Sequence, residues 1–169
     1  RPRVNTEVMY DNLMNKFRYG NVNKPGIYLD ENTLRMCRTH RMMFSELAQA
    51  LYEEGKHDKA IEVLNYAEEM LPGYNVSYDY TSASMAALYY ALGKNDKGDA
   101  IMTNVADNCV EYMAWAASLP AVQRKSLNQS TVGHYSAVLG FVLNNFQRYE
   151  RKELFNKYFD LYNQYASVR

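Results

Sequence analysis

The chain has 169 residues, of which 47% are hydrophobic and 22% charged, with 19 basic and 19 acidic side chains. This composition excludes a disordered chain, and the zero net charge argues against a nucleic-acid binder, which normally carries a basic excess. No apolar run approaches the roughly 18 residues of a membrane-spanning helix, so we expect no direct membrane insertion by this segment.

Residues 1–30 form the first predicted region, an extended segment with one short helix that packs on the rest of the chain. Helical spacing within it is limited to residues 9–17, where apolar and aromatic side chains recur on one side. Gly20, Pro25 and Gly26 then interrupt regular structure. A linker from a preceding part of the protein is the alternative interpretation.

The hydrophobic period becomes helical from Asn32 onward and predicts six helices joined by short links. Asp30 or Asn32, Asp58 and Asp96 are the predicted N-caps, and glycine or proline follows four of the helices. The predicted helices cover about 32–54, 58–71, 79–92, 96–119, 126–146 and 150–166. The expected fold class is therefore all-α, an antiparallel helical-repeat array over residues 31–169.

One six-residue motif occurs twice in this array. Residues 55–60 read GKHDKA and residues 93–98 read GKNDKG, so four positions are identical across a separation of 38 residues. Each copy follows an apolar–aromatic pair and lies at a predicted helix–turn–helix junction. The large and small residues around the first copy match the tetratricopeptide pattern, in which small residues let two helices approach. The second copy matches loosely, and the last helix pair has no glycine at its turn.

The sequence predicts no catalytic residue, no metal site and no cofactor. His40, His57 and His134 are far apart and lack the spacing of a zinc helix, and no phosphate-binding or nucleophile motif occurs. Cys37 and Cys109 lie inside helical patterns without C-x-x-C spacing. We expect both to be buried thiols that pack as small hydrophobes, although a disulfide is possible in an oxidising compartment.

A groove on the concave face is the predicted binding surface, because the first helix of each pair lines that face in tetratricopeptide arrays. Its predicted lining is Met42, Ser45, Gln49 and Tyr52 from one pair, with Tyr80, Ser84, Ala87 and Tyr90 from the next. Aromatic and methionine side chains with scattered amides are typical of a peptide-binding surface. Two occupants stay open, namely a protein or peptide partner and residues 1–30 of the same chain.

Three short stretches carry a family resemblance: YDNLMNKF at residues 10–17, YLDEN at residues 28–32, and Arg35-Met36. With the helical body that follows, they resemble the C-terminal soluble region of a family of large bacterial multi-pass membrane proteins of unknown function. The membrane-embedded part of that family is similar to protein O-mannosyltransferases and is grouped with glycosyltransferases. The resemblance implies a segment of a longer inner-membrane protein, tethered on the periplasmic side, whose catalytic apparatus lies outside this chain.

We therefore expect a non-catalytic protein-interaction or scaffolding domain, accessory to a membrane-bound glycosyltransferase-like protein. The alternative is a purely structural domain that packs on its own membrane part or dimerises without a separate ligand. An exposed apolar stripe on the last helix would favour that alternative, and the candidates are Phe155, Tyr158, Phe159, Tyr162 and Tyr165. An enzyme acting alone would need a pocket with convergent titratable groups, which the sequence does not suggest.

Overall fold

The computed structural model describes residues 4–166, and these residues form eight α-helices and no strand. The all-α prediction is confirmed. The helices are α1 (Thr6–Asp11), α2 (Glu31–Glu53), α3 (His57–Met70), α4 (Tyr80–Ala91), α5 (Asn95–Ser118), α6 (Ala121–Lys125), α7 (Gln129–Arg148) and α8 (Lys152–Ala166). A π-helical turn over Asn12–Lys16 continues α1.

The chain divides into two compact units, the first ending at Gly98 and the second beginning at Asp99. In the first unit α2 packs on both α3 and α4. Its core is made of side chains spaced three or four residues apart, as amphipathic helices require. Those with no more than 1% exposure include Leu13, Phe44, Leu47, Ala48, Leu51, Ala60, Leu64, Met85 and Tyr89.

In the second unit α7 packs on α8. The rings of Phe146 and Tyr158 stack with centroids 5.8 Å apart, and Tyr158 is fully buried. Its hydroxyl donates to Asp107 Oδ1 at 2.6 Å, so the buried phenol keeps a hydrogen-bond partner. Burial and this carboxylate together raise the pKa of Tyr158.

The N-caps of α3 and α5 differ from the prediction. Asp30 caps α2 as expected, because its carboxylate accepts from Thr33 N at 2.7 Å. Asp58 and Asp96 do not occupy the N-cap position, since α3 and α5 each begin one residue before them. Both carboxylates lie instead in the first turn of their helix, where the helix dipole favours negative charge.

The segment between Pro120 and Gln129 also differs from the prediction. Instead of one helix that starts near Ser126, the structure has the short helix α6 and then α7, which begins at Gln129. Asn128 caps α7 by accepting from Ser130 N at 3.0 Å. Pro120 immediately precedes α6 and Asn128 caps α7, so the sequence does contain start signals for two helices.

The N-terminal segment packs on α2, α3 and the loop that follows α3. Phe17 and Tyr19 each meet the His40 ring edge-on with centroids 5.4 Å apart, and Tyr19 also packs beside Phe44 and Tyr66. Burial among these rings lowers the pKa of His40, because a charged imidazolium would lose its hydration there. Aromatic side chains of this segment therefore contact α2 and α3.

A second attachment of the N-terminal segment uses backbone carbonyls. The hydroxyl of Tyr74 donates to Asn23 O at 2.5 Å. The amide of Asn75 donates to Val22 O at 2.7 Å and to Lys24 O at 2.8 Å. Two side chains of the loop after α3 thus hold three consecutive carbonyl groups, and we call this contact the carbonyl clasp.

Three helix–turn–helix junctions share one backbone geometry. Each has a residue with positive φ after its first helix, namely Gly55 at 75°, Gly93 at 73° and Glu150 at 56°. The next backbone N–H then donates to a carbonyl five residues earlier, from Lys56 to Leu51 at 2.9 Å, from Lys94 to Tyr89 at 2.8 Å and from Arg151 to Phe146 at 2.8 Å. This is the bonding of a Schellman helix end, and glycine is the usual residue at its left-handed position. The sequence predicts the third junction as a short link, but its left-handed turn carries no glycine signal because glutamate occupies that position.

We predict that Glu150→Gly stabilises the protein by about 1 kcal/mol, because glycine adopts the left-handed conformation without the steric cost that a Cβ imposes. Urea unfolding followed by circular dichroism should show a higher midpoint at unchanged slope. The matched control is Glu153→Gly in the first turn of α8, which should destabilise by about 1 kcal/mol. A lower midpoint for Glu150→Gly would show that the junction does not strain this residue.

Candidate functional site

The open side of α2 carries the four residues predicted from the first helix pair. Met42 is 47% exposed and Gln49 is exposed, while Ser45 and Tyr52 are half-buried. Their spacing of three, four and three residues places them on one stripe of the helix. Arg41, four residues before Ser45, belongs to the buried face, so the stripe borders the core.

The helix α4 is buried on every side except one. Seven of its 12 residues are buried: Ser82, Ala83, Met85, Ala86, Leu88, Tyr89 and Tyr90. Tyr80, Ser84 and Ala87 are exposed or half-buried and recur at helical spacing, so they form its open stripe. Tyr80 is 48% exposed and follows directly after the N-cap Asp79.

The open stripes of α2 and α4 lie on neighbouring helices. Arg41, in the middle of α2, donates to Leu71 O at the end of α3 and to Ser77 O just before α4, both at 2.9 Å. The start of α4 therefore lies beside the middle of α2, and the two helices pack on each other. We call the two stripes together the α2–α4 face: Met42, Ser45, Gln49, Tyr52, Tyr80, Ser84 and Ala87.

Tyr90 does not belong to this face. It is 3% exposed, and a Cβ built on Gly98 would lie 2.5 Å from its ring atom Cε1. The ring of Tyr90 therefore fills the space that a side chain at Gly98 would need, and it is not accessible to a ligand. Sequence spacing placed Tyr90 beside Tyr80, but the close approach of α4 and α5 at a glycine turns its ring into the core.

The N-terminal segment contacts a different flank of α2. Its contacts with this helix include His40, Phe44 and Glu54, which accepts from the Thr6 hydroxyl at 3.0 and 3.1 Å. Successive helix positions are about 100° apart, so His40 and Met42 point about 160° away from each other. These contacts of residues 4–30 therefore do not support the hypothesis that the N-terminal segment fills the groove.

Two local contacts organise the side chains at the far end of the α2–α4 face. The Gln49 amide donates to Glu53 Oε1 at 2.9 Å. The Tyr52 ring stacks on His57 of the following turn, with centroids 5.0 Å apart and an interplanar angle of 14°. Stacking orients the Tyr52 ring and so reduces the conformational entropy that a bound partner would have to restrict.

A buried arginine holds the linker between α3 and α4. Arg41 is 1% exposed and donates to three carbonyls, with Val76 O at 2.6 Å in addition to the two at 2.9 Å. Its guanidinium carbon lies 5.4 Å from the centroid of the Tyr78 ring. Burial lowers the pKa of Arg41, while the nearby carboxylates of Asp79 and Glu68 act in the opposite direction.

Glu68 completes this cluster from α3. Tyr78 donates its hydroxyl to Glu68 Oε2 at 2.5 Å, whereas Oε1 is buried without a hydrogen-bond partner. Burial raises the pKa of Glu68 despite that hydrogen bond and the charge of Arg41. The cluster fixes the linker that directly precedes Tyr80. The donors of Arg41 are directed at carbonyl groups of the protein itself. We therefore assign the cluster a positioning role for the α2–α4 face.

The sequence contains a signal for this buried arginine that is not a motif but a break in the helical pattern. Position 41 lies in the same helical register as Cys37, Phe44 and Ala48, all of them buried. A charged residue inside an apolar stripe indicates a buried charge, which must find hydrogen-bond partners.

The sequence also predicts that the two cysteines are buried thiols. Cys37 and Cys109 are both buried free thiols, and burial raises the pKa of Cys109 to about 12. Among residues 4–166, no three His, Cys, Asp or Glu side chains gather so that they could hold a metal ion. No helix in the described part of the chain is both long and apolar enough to cross a membrane.

We predict that Arg41→Met destabilises the protein by about 3–5 kcal/mol, because two buried carbonyls and one part-buried carbonyl lose their donor and Glu68 loses a nearby positive charge. Urea unfolding should report the loss. Arg38→Met, on the exposed side of the same helix, is the control and should change stability by no more than about 0.5 kcal/mol. Equal effects of the two substitutions would contradict the role assigned to Arg41.

A second prediction concerns the contact between Tyr90 and Gly98. Gly98→Ala should lower the free energy of unfolding by about 1–3 kcal/mol, because the new methyl overlaps the Tyr90 ring. Gly140→Ala in α7 should instead stabilise by about 0.5–1 kcal/mol, since a Cβ there meets nothing within 4 Å. Thermal unfolding of the two variants distinguishes steric overlap from helix propensity, which favours alanine at both sites.

Comparisons of this chain with protein-family models, with curated proteins and with solved structures found no match.

Proposed function

We propose that this chain is a non-catalytic, tetratricopeptide-like protein-interaction domain and that the α2–α4 face is its contact surface. The single observation that carries the proposal is the position of Tyr80. This tyrosine is 48% exposed on a helix whose other sides are buried, and that helix packs on α2, whose open stripe carries Met42. Large apolar side chains set among amides and hydroxyls are typical of surfaces that bind peptides.

The shared geometry of the junctions at Gly55, Gly93 and Glu150 supports the tetratricopeptide-like part of this proposal. So does the contact of Tyr90 with Gly98, because a small residue after the turn lets the second helix approach the first. The order of packing, with α2 against α3 and against α4, is also that of two successive helix pairs.

We also propose that the domain is accessory to a membrane-bound glycosyltransferase-like protein and lies on the periplasmic side of the inner membrane. This part rests on the resemblance carried by residues 10–17, 28–32 and 35–36. Tyr28 is 90% exposed and Met36 is 62% exposed, so two large apolar side chains from these stretches are available for contact with the rest of such a protein.

A purely structural or dimerising domain is the second candidate, and one observation on α8 favours it. Phe155 and Phe159 stack with centroids 5.3 Å apart, and Phe159 is 43% exposed. Tyr158, expected on the same exposed stripe, is fully buried. The outer side of α8 thus keeps part of the apolar stripe that this candidate requires, centred on the two phenylalanines.

Selection from a random peptide library on the immobilised protein tests the interaction proposal. Peptides enriched on the wild-type protein should bind Tyr80→Ala and Met42→Ala about 5- to 30-fold more weakly, the usual effect of removing an interface anchor. Fluorescence anisotropy with the labelled peptides gives the affinities. Tyr28→Ala is the matched control, because it removes an exposed tyrosine outside the α2–α4 face.

Two results would overturn the proposal. One is the absence of any enriched peptide, which would favour the structural candidate. The other is a set of peptides that bind Tyr80→Ala and Met42→Ala as tightly as the wild-type protein, which would place the contact surface elsewhere.

A further inference from the structure

Acidic side chains are missing from the part of the second unit where α5, α6 and the start of α7 meet. All 19 acidic residues of the chain lie outside residues 112–149, whereas Arg124 and Lys125 lie inside that stretch. The Tyr112 and Tyr135 rings stack with centroids 4.1 Å apart, so the last two turns of α5 lie beside the first half of α7. The basic residues of α6 therefore lie at one end of this unit, at the connection between these two helices.

Large apolar side chains are exposed at the same end. Trp115, in the last turn of α5, is 49% exposed, and its ring lies beside that of Tyr112 with centroids 5.5 Å apart. Val122 is 83% exposed, and no residue of α6 is buried. Arg124 is half-buried and Lys125 is exposed. We call this end of the second unit the tryptophan tip: Trp115, Val122, Arg124 and Lys125.

One carboxylate borders the tryptophan tip and does not cancel its charge. Glu111 is exposed one turn before Trp115, about 6 Å farther from the end of α5. The two cations of α6 exceed this single negative charge. The other carboxylates of the second unit lie in its middle or toward its opposite end: Asp99, Asp107, Glu150, Glu153 and Asp160.

We propose that the tryptophan tip rests on the surface of a lipid bilayer that contains anionic headgroups. The Trp115 ring lies at the level of the headgroups, where amphipathic rings have one apolar and one wet side. Arg124 and Lys125 contact the lipid phosphates. The contact stays at the headgroup level, and no helix crosses the bilayer. The tip belongs to the second unit and the α2–α4 face to the first, so this inference goes beyond the proposed function and does not depend on it.

The small number of contact residues favours a bilayer over a protein partner. A stable protein interface uses about 20–30 residues on each side. The tryptophan tip offers far fewer, and they lie at the connection between two helices. A bilayer surface adapts to such a connection and combines apolar contact with attraction to its phosphates. We therefore expect weak, reversible adsorption and not permanent anchoring.

The fluorescence of Trp115 tests the proposal without a label, because this residue is the single tryptophan of the chain. The probes are vesicles of phosphatidylcholine alone and vesicles with equal amounts of phosphatidylcholine and phosphatidylglycerol. With the acidic vesicles at low salt, we expect the emission maximum to move to shorter wavelength and lipids brominated near the headgroup to quench the emission. Added salt should reverse both effects, because it screens the attraction between the cations and the phosphates.

Cosedimentation with the acidic vesicles tests the individual side chains. The double variant Arg124→Gln, Lys125→Gln should partition about 10- to 30-fold more weakly, because both cations near the anionic surface are lost. Trp115→Ala should partition about 5- to 20-fold more weakly, because the interfacial ring is lost. The matched control is Arg148→Gln, Lys152→Gln, which removes the same charge about 30 Å away at the other end of α7 and should change partitioning by less than about twofold.

Three results would overturn the inference. The first is unchanged emission of Trp115 with acidic vesicles, or equal partitioning to acidic and neutral vesicles. The second is an equal loss in the two double variants, which would reveal general attraction of the protein to the vesicles. The third is a shift of the emission by soluble polyglutamate but not by vesicles, which would assign the tryptophan tip to an acidic protein surface. None of these results bears on peptide binding at the α2–α4 face.

Discussion

The first unit of the structure depends on one buried guanidinium. The linker between α3 and α4 turns the chain back beside α2, and its carbonyl groups would be buried without donors if Arg41 were absent. A single planar group with five N–H donors reaches the end of α3 and the last residues before α4 together. The position of α4, and with it the exposed side of Tyr80, follows from that set of hydrogen bonds.

Burying an arginine is costly, and the surroundings of Arg41 show how the cost is offset. Its charge is compensated by Glu68 and Asp79 nearby, its donors are taken up by carbonyls, and its flat face lies beside the Tyr78 ring. Gly73 lets this arrangement close, because a Cβ there would lie 2.5 Å from the ring of Tyr78. The linker between α3 and α4 is therefore held by buried hydrogen bonds, and Val76 within it is fully buried.

The fold class could be predicted from the sequence because helical periodicity and turn glycines are local signals. Gly55 and Gly93 predict two helix–turn–helix junctions, and the structure has a junction at each of them. The left-handed conformation of Glu150 at the third junction could not be predicted, because glutamate does not favour that conformation and the packing of α7 on α8 imposes it. Tyr90 was predicted on the open face for a similar reason, since spacing within one helix says nothing about a glycine on the next.

The carbonyl clasp has a consequence for how this chain tolerates mutation. Tyr74 and Asn75 hold the carbonyl groups of residues 22–24, and every amino acid offers the same carbonyl. The side chains of residues 22–24 are thus largely interchangeable, whereas those of Tyr74 and Asn75 are not. Substitutions at residues 22–24 would therefore accumulate more freely than substitutions of Tyr74 or Asn75. The attachment can persist in related chains whose N-terminal segments no longer resemble one another in sequence.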